Sequence, residues 1–229
     1  MNHPLDNPVW NALGGPHRRF ALGAGRARMY QPEVCSFAAI DAPDPAAYAD
    51  LARLLGPGAE ARLVRREADP LPRGWIESRD WPLLQMVAPA FDGRQTEGPP
   101  PRELGPDDAA SAFALVELTQ PGPFGPRTLE MGRYLGVFDG GELVALSGER
   151  MRLEGWVELS AICTHPKVRG RGLAEYLMRR LMRDAFARGQ TPFLHVLPEN
   201  APAIALYRRL GFGVRAEMRY LWRRPDAAG

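Results

Sequence analysis

At 229 residues, 45% hydrophobic and 24% charged, the chain has enough apolar side chains for one large domain or two small ones with a sizeable core. A formal net charge of +2 lacks the concentrated basic face of a nucleic-acid binder, and no apolar stretch approaches transmembrane length, so neither nucleic acid nor membrane is an expected partner. Cys35 and Cys163 form no paired framework, and residues 1–30 show no basic start followed by an apolar run, so a cytoplasmic protein is expected.

Residues 33–40 and 61–66 read as short strands, 45–55 as a helix and 82–88 as a further strand. Trp10, Trp75 and Trp81 are expected in the core or at its rim rather than stacked on a ligand. Residues 92–106 are Gly, Pro and charge around Pro99-Pro100-Pro101, a linker composition that sets an expected boundary near residue 100. A helix is expected over 106–118, with Asp107 and Asp108 in its first turn where the helix dipole favours them. A Pro/Gly loop over 121–127 and a short helix over 128–132 follow. Residues 134–139 and 142–151 then read as a hairpin closed by Gly140-Gly141.

Residues 157–164, β-branched and apolar and closed by His165-Pro166, read as the central strand. Leu173, Leu177, Leu181 and Ala185, with Ala174, Met178, Met182 and Phe186, give the period of a helix over 173–188, capped by Gly189. Between strand and helix lies Arg169-Gly170-Arg171-Gly172, and a glycine-rich turn into a helix start offers free backbone N–H groups to a phosphate. Lys167, the only lysine of an Ala-, Arg-, Gly- and Pro-rich chain whose composition suggests a GC-rich bacterial source, adds charge there. The spacing excludes a Walker loop, which needs Gly-Lys-Ser/Thr. It also excludes the dinucleotide fingerprint, because Glu175 stands where the third glycine belongs. Residues 191–197 read as a strand, Asn200 opens a helix, and 213–223 supply the last one or two strands.

The segment Arg169-x-x-Gly172-x-Ala174 fits the Q/R-x-x-G-x-G/A motif of the GCN5-related N-acetyltransferases (GNAT). Asn200-Ala201-Pro202-Ala203-Ile204-Ala205-Leu206-Tyr207, followed by Gly211-Phe212, resembles that superfamily's N-x-x-A-x-x-L-Y-x-x-x-G-F segment, and residues 191–197 resemble its fifth strand. The combination most resembles the FR47-like branch and covers roughly residues 105–225. It implies an α/β (α+β) fold, with a mixed central sheet flanked by helices and a splayed parallel strand pair that holds the cofactor. Residues 1–100 would then be a smaller N-terminal subdomain, either a degenerate GNAT-like half or a substrate-covering element, before an acetyltransferase domain over 101–229.

The reaction implied is acetyl transfer from acetyl-CoA to an amine acceptor by direct attack in a ternary complex. The alternative is a non-catalytic acyl-CoA sensor or regulatory module. In the resemblance, Ile162, Cys163 and Thr164 contact the pantetheine arm, and Arg169, Gly170, Arg171, Gly172, Leu173 and Ala174 hold the pyrophosphate. Asn200 serves cofactor binding, N-capping or both. A primary amine with a pKa near ~10.4 is protonated at neutral pH, so a base is useful. Glu158 on the central strand matches the family's strand glutamate and is the candidate base; Tyr207 is the candidate acid for the departing thiolate. Phe124, Arg127, Glu130 and Met131 are candidates for acceptor selection. Strict strand alternation puts Glu158, Ser160, Ile162 and Thr164 on one face and Cys163 with Leu159 and Ala161 on the other. That argues against a covalent intermediate on Cys163 unless a bulge breaks the parity. His165 and His195 lack a metal-ligand pattern, so no metal is expected and His195 reads as a core or rim residue. The acceptor's identity and the oligomeric state, a homodimer being one option, are not written in any motif.

Overall fold

In the computed structural model, which describes residues 3–66, 70–94 and 96–226, apolar strands and amphipathic helices assemble around one long sheet. The strands are β1 (Ala21–Leu22), β2 (Ala27–Tyr30), β3 (Ala38–Ile40), β4 (Ala61–Arg65), β5 (Trp75–Val87), β6 (Arg102–Glu103), β7 (Tyr134–Asp139), β8 (Glu142–Leu153), β9 (Trp156–Thr164), β10 (Thr191–Val196) and β11 (Gly213–Pro225). The helices are α1 (Pro8–Gly14), α2 (Pro45–Leu55), α3 (Ala109–Thr119), α4 (Leu173–Ala187) and α5 (Ala201–Arg209). The first three strands form a small antiparallel sheet. The others form an eight-stranded sheet in the order β4-β11-β5-β10-β9-β8-β7-β6.

Local chemistry fixes several boundaries. Asp44 caps α2 by accepting from the Ala46 and Ala47 N–H groups, and Pro45 takes the first helical position, where no N–H is needed. Gly140 and Gly141 both have positive φ, 58° and 85°, the tight hairpin conformation whose twist matches the flanking β7 and β8. The strand expected over 82–88 begins earlier, at Trp75, because β11 runs beside it along almost its whole length. The strand expected over 33–40 shrinks to β3, and the C-terminal segment forms one strand, β11.

Apolar residues of β7 point alternately to the two faces. Leu135 and Val137 pack with α4 and α5 in one core, whereas Tyr134 packs with α3 in another. A third core joins α1 and the N-terminal segment to β5, β10 and β11 through Leu5, Val9, Leu83, Phe193 and Met218. The boundary expected near residue 100 is therefore not a boundary of the fold. β4 and β5, from before it, pair with β11 and β10, from after it. The expectation of a degenerate second half gives way to a segment whose small sheet and helices pack against the single main sheet. The linker composition of 92–106 marks only the crossing from β5 to α3.

β9 and β10 run parallel and pair over Trp156 to Glu158 opposite Thr191 to Phe193, after which the ladder stops while both strands continue. They splay as the family resemblance implies.

Candidate active site

A cavity of about 1010 Å³ opens where β9 and β10 part. At one end it is lined by Ile162, Cys163, Thr164, Arg169, Ala174, Asn200 and Tyr207, so residues far apart in the sequence meet at the splay. Beyond residue 158, β9 has no partner on the β10 side, leaving its backbone groups there free for a ligand.

The loop before α4 shows how the sequence builds a phosphate cradle. Gly170 and Gly172 have φ of 81° and 75°, left-handed values that side chains resist, and the space where a Cβ would project is open. Gly172 caps α4 without any side-chain hydrogen bond, and the N–H groups of residues 170–174 make no backbone hydrogen bond. Orphan donors at a helix start, with Arg169 lining the cavity just before them, are groups suited to an anion such as a pyrophosphate. Arg169 and Ala174 line the cavity, and residues 170–173 run between them. Asn200 caps α5 by accepting from the Ala203 N–H at 3.3 Å, while its Nδ2 makes no hydrogen bond among the described residues and stays available to a ligand. Both roles expected for Asn200 are thus compatible.

β9 is irregular where it matters. Its register against β8 shifts between Ser160 and Cys163, and Ala161 adopts a left-handed φ of 52°. This bulge breaks the expected parity. Leu159 and Ile162 both pack toward α4, whereas Ala161 and Cys163 pack under α3. Cys163 is nevertheless a poor nucleophile: burial pushes its thiol up to about 11, only partly opposed by the nearby Thr119 hydroxyl.

Glu158 lies fully buried beneath the cavity and does not line it. Its oxygens accept from the Arg150 guanidinium, Oε2 from Nε at 2.8 Å and Oε1 from Nη2 at 2.6 Å. His195 Nδ1 lies 2.8 Å from the oxygen Oε1. Burial alone would raise this carboxyl, but the Arg150 charge and the hydrogen bonds from Arg150 and His195 outweigh it and hold Glu158 well below the usual carboxylate range. A carboxylate so firmly ionised is a weak direct base, which redirects the expectation placed on Glu158 to the group it contacts. His195 does line the cavity, and its Nε2 lies 3.0 Å from Gln85 Nε2, which also donates to the Leu5 carbonyl. With Gln85 donating to Nε2, the Nδ1–H of His195 is directed at Glu158. Gln85 Oε1 is buried without a partner.

Tyr207 is buried, contacts Phe212 and faces the cavity; its hydroxyl makes no hydrogen bond among the described residues. Burial pushes it up to about 12, so at neutral pH it carries its proton.

The expected acceptor-selecting residues divide. Phe124 lines the cavity and meets Tyr134 edge-on at 6.0 Å. Arg127 and Glu130 do not line it; they pair with each other at 2.7 Å, and Arg127 also holds Gln31. Their charges are satisfied in docking the loop onto the N-terminal segment. Met131 is buried with that segment's core. The opposite end of the cavity is instead walled by Ser36, Phe37, Arg62, Trp81, Tyr220 and Trp222. Sequence reasoning missed this wall and the Arg150–Glu158–His195 chain. The available clue was two opposite charges, Arg150 and Glu158, on apolar segments that a turn at 152–155 folds face to face.

The FR47-like protein family matches residues 134–222. A solved acetyltransferase structure of the GNAT family from Novosphingobium aromaticivorans is 40% identical, covers 98% of this chain and 99% of its own, and has a TM-score of 0.89. The chain belongs to the GNAT family of acetyltransferase enzymes. A GCN5-related N-acetyltransferase from Kribbella flavida, 22% identical with a TM-score of 0.63 over 96% of this chain and 95% of its own, shares the fold. The N-alpha-acetyltransferase RimI of Mycobacterium tuberculosis is 39% identical over 82 residues, 34% of this chain, which spans 51% of that relative's length. Because the Novosphingobium GNAT protein matches nearly end to end, the N-terminal segment is part of the fold the two share. Among the described residues, no cluster of His, Cys, Asp and Glu suits a metal, and no helix is long and apolar enough to cross a membrane.

Proposed function

We propose that this GNAT protein transfers an acetyl group from acetyl-CoA to a primary amine by direct attack. The observation that carries the reading is the single cavity joining a pyrophosphate cradle, a free strand edge and a protonated Tyr207 to a second, aromatic-walled chamber. Arg169 and the backbone N–H groups of residues 170–174 would hold the pyrophosphate, the edge of β9 over 162–164 the pantetheine arm, and Asn200 Nδ2 a polar group along it. Bound acetyl-CoA supplies a thioester carbonyl. Acyl transfer there forms a C–N bond, breaks the C–S bond, takes one proton from the amine and gives one to the sulfur.

Each proton has a group suited to it. Tyr207 retains its proton at neutral pH and donates it to the sulfur. His195 accepts the amine's proton, directly or through water, and Glu158, itself held by Arg150, orients the ring. Protonation at Nε2 requires Gln85 to turn its amide. The turn exchanges the bond to Leu5 for one from the imidazolium to Oε1, the atom left partnerless in the neutral state. Glu158 thus acts through His195, and the raised Cys163 thiol takes no part.

The test is thermal stability with and without acetyl-CoA, followed by thiol release over a panel of amines. A ligand at ~100 times its Kd adds about 2.7 kcal/mol, a midpoint rise of roughly 5–10 °C at this chain length. Gly172→Glu, which strains a left-handed residue and puts a carboxylate in the cradle, should abolish the rise. No shift at millimolar acetyl-CoA refutes the reading. A shift without turnover on any amine points to an acyl-CoA sensor.

A further inference from the structure

The chamber beyond His195 is floored by one face of β5. Gln85, Leu83 and Trp81 alternate along this strand, so their side chains project to one side of the sheet, and Gln85 meets His195 there. From Gln85 to Trp81 the floor runs about 14 Å, at about 3.4 Å per residue. Its direction follows from the register: β10 is antiparallel to β5, and Val196 pairs with Leu84 where His195 pairs with Gln85. The floor therefore leaves His195 toward the open end of the splay.

The surface along this floor is aromatic. Trp81 stands opposite Tyr220 on β11. It meets the Tyr220 and Trp222 rings at 6.0 and 5.6 Å, and Phe37 meets Tyr220 at 5.9 Å. The Tyr220 hydroxyl is turned to the Trp222 side chain, so the wall presents rings to the cavity. Leu83 and Trp81 line the cavity, and Trp81 is 37% exposed. An indole left open on the wall of a concave site is apolar area for a ligand to cover.

The charges of the cavity are one-sided. Glu117, in the last turn of α3, is the one carboxylate among the described residues that line it. It stands two positions before Thr119, which meets Cys163 on β9. The aromatic end is positive instead. Arg62 lies 4.2 Å from the Trp222 ring centroid and is tied to Ser36, and Arg79, which does not line the cavity, lies 4.8 Å from the Trp81 ring centroid. Neither has a carboxylate within ion-pair distance among the described residues. A cation brought to this end would meet like charge and no counter-charge, whereas an apolar group would meet ring surface.

We infer that the acceptor is a monoamine with an apolar or aromatic body, its nitrogen at His195 and its body along Leu83 and Trp81, and that Arg62 excludes a second cation. The inference rests on the transferase reading for the place of the nitrogen. Polyamines and amino sugars with several ammonium groups are rejected by the same charge.

Calorimetric titration into CoA-saturated protein tests this with two matched pairs. Heptylamine and 1,6-diaminohexane differ only in a terminal methyl or ammonium group, and 4-phenylbutylamine and butylamine differ only in the ring. The apolar member of each pair should bind about tenfold or more tighter than its counterpart. Arg62→Gln, which removes the charge, should shrink the heptylamine preference to below about threefold. Trp81→Ala should do the same to the phenyl preference, with the melting midpoint reporting that each variant is folded. The parent protein decides the main point without either variant. A diamine that binds as tightly as heptylamine, a ring that adds no affinity, or no binding of any of the four at millimolar concentration overturns the inference. A heptylamine preference unchanged by Arg62→Gln in folded protein overturns the role of Arg62. Titration without CoA separates the two readings. Both preferences in a protein that fails to bind CoA would sink the transferase reading while leaving the chamber's selectivity standing, and CoA binding without either preference sinks this inference alone.

Discussion

Replacing Glu158 with Gln tests the charge chain beneath the cavity. Glu158 is 0% exposed and Arg150 8% exposed, and the two meet through hydrogen bonds of 2.8 and 2.6 Å, with His195 as a third contact. The substitution keeps the shape but strands the buried guanidinium, a loss of roughly 3–5 kcal/mol. At about 2–4 °C per kcal/mol for a chain of this size, the melting midpoint should fall by roughly 6–20 °C at neutral pH. The pH dependence has a definite sign. Because the folded carboxyl is held below its unfolded value of about 4.3, its contribution is present above that value and is lost as pH falls toward the folded one. Scanning calorimetry from pH 7 to pH 3 should therefore show a wide gap between parent and variant above about pH 5 that narrows in acid. The double variant Arg150→Met/Glu158→Leu, which removes both charges, should recover much of the loss, as apolar replacements of buried pairs often do. A Glu158→Gln midpoint within 2 °C of the parent at neutral pH would refute the account of this pair.

Other outcomes follow from the same geometry. His195→Gln should lower kcat/KM by about 10²-fold or more while leaving the acetyl-CoA-induced stabilisation in place, and stopped thiol-release kinetics will show whether it does. Tyr207→Phe should reduce kcat with CoA affinity retained; a loss of affinity instead would mean the ring serves packing. Cys163→Ala should keep turnover within a few-fold and should leave no acetylated protein by mass spectrometry, since the buried thiol is held protonated.

Local chemistry carried much of the fold into the sequence. α2, with Asp44 and Pro45 at its start, needs no distant residue to set its boundary, and neither does the Gly140-Gly141 hairpin. The phosphate loop and the Asn200 cap are likewise local, because positive-φ glycines and capping side chains act within a few residues. The motifs at 169–174 and 200–212 thus mark in the sequence the end of the cavity proposed to take the cofactor.

Tertiary structure decided the rest. The Pro-rich run at 92–106 looks like a domain linker, yet β5 has its hydrogen-bond partners in β10 and β11, more than a hundred residues later, and no local pattern announces that pairing. The bulge at Ala161 reversed the parity of the central strand, because alternation read from sequence assumes an unbroken ladder and a bulge depends on the partner strand. Glu158 showed its carboxylate in the sequence but not its environment; only packing placed Arg150 and His195 around it and set its charge. Arg62, Trp81 and Trp222 are scattered along the chain, and register alone brings them together, so the chamber that would select the acceptor has no sequence motif.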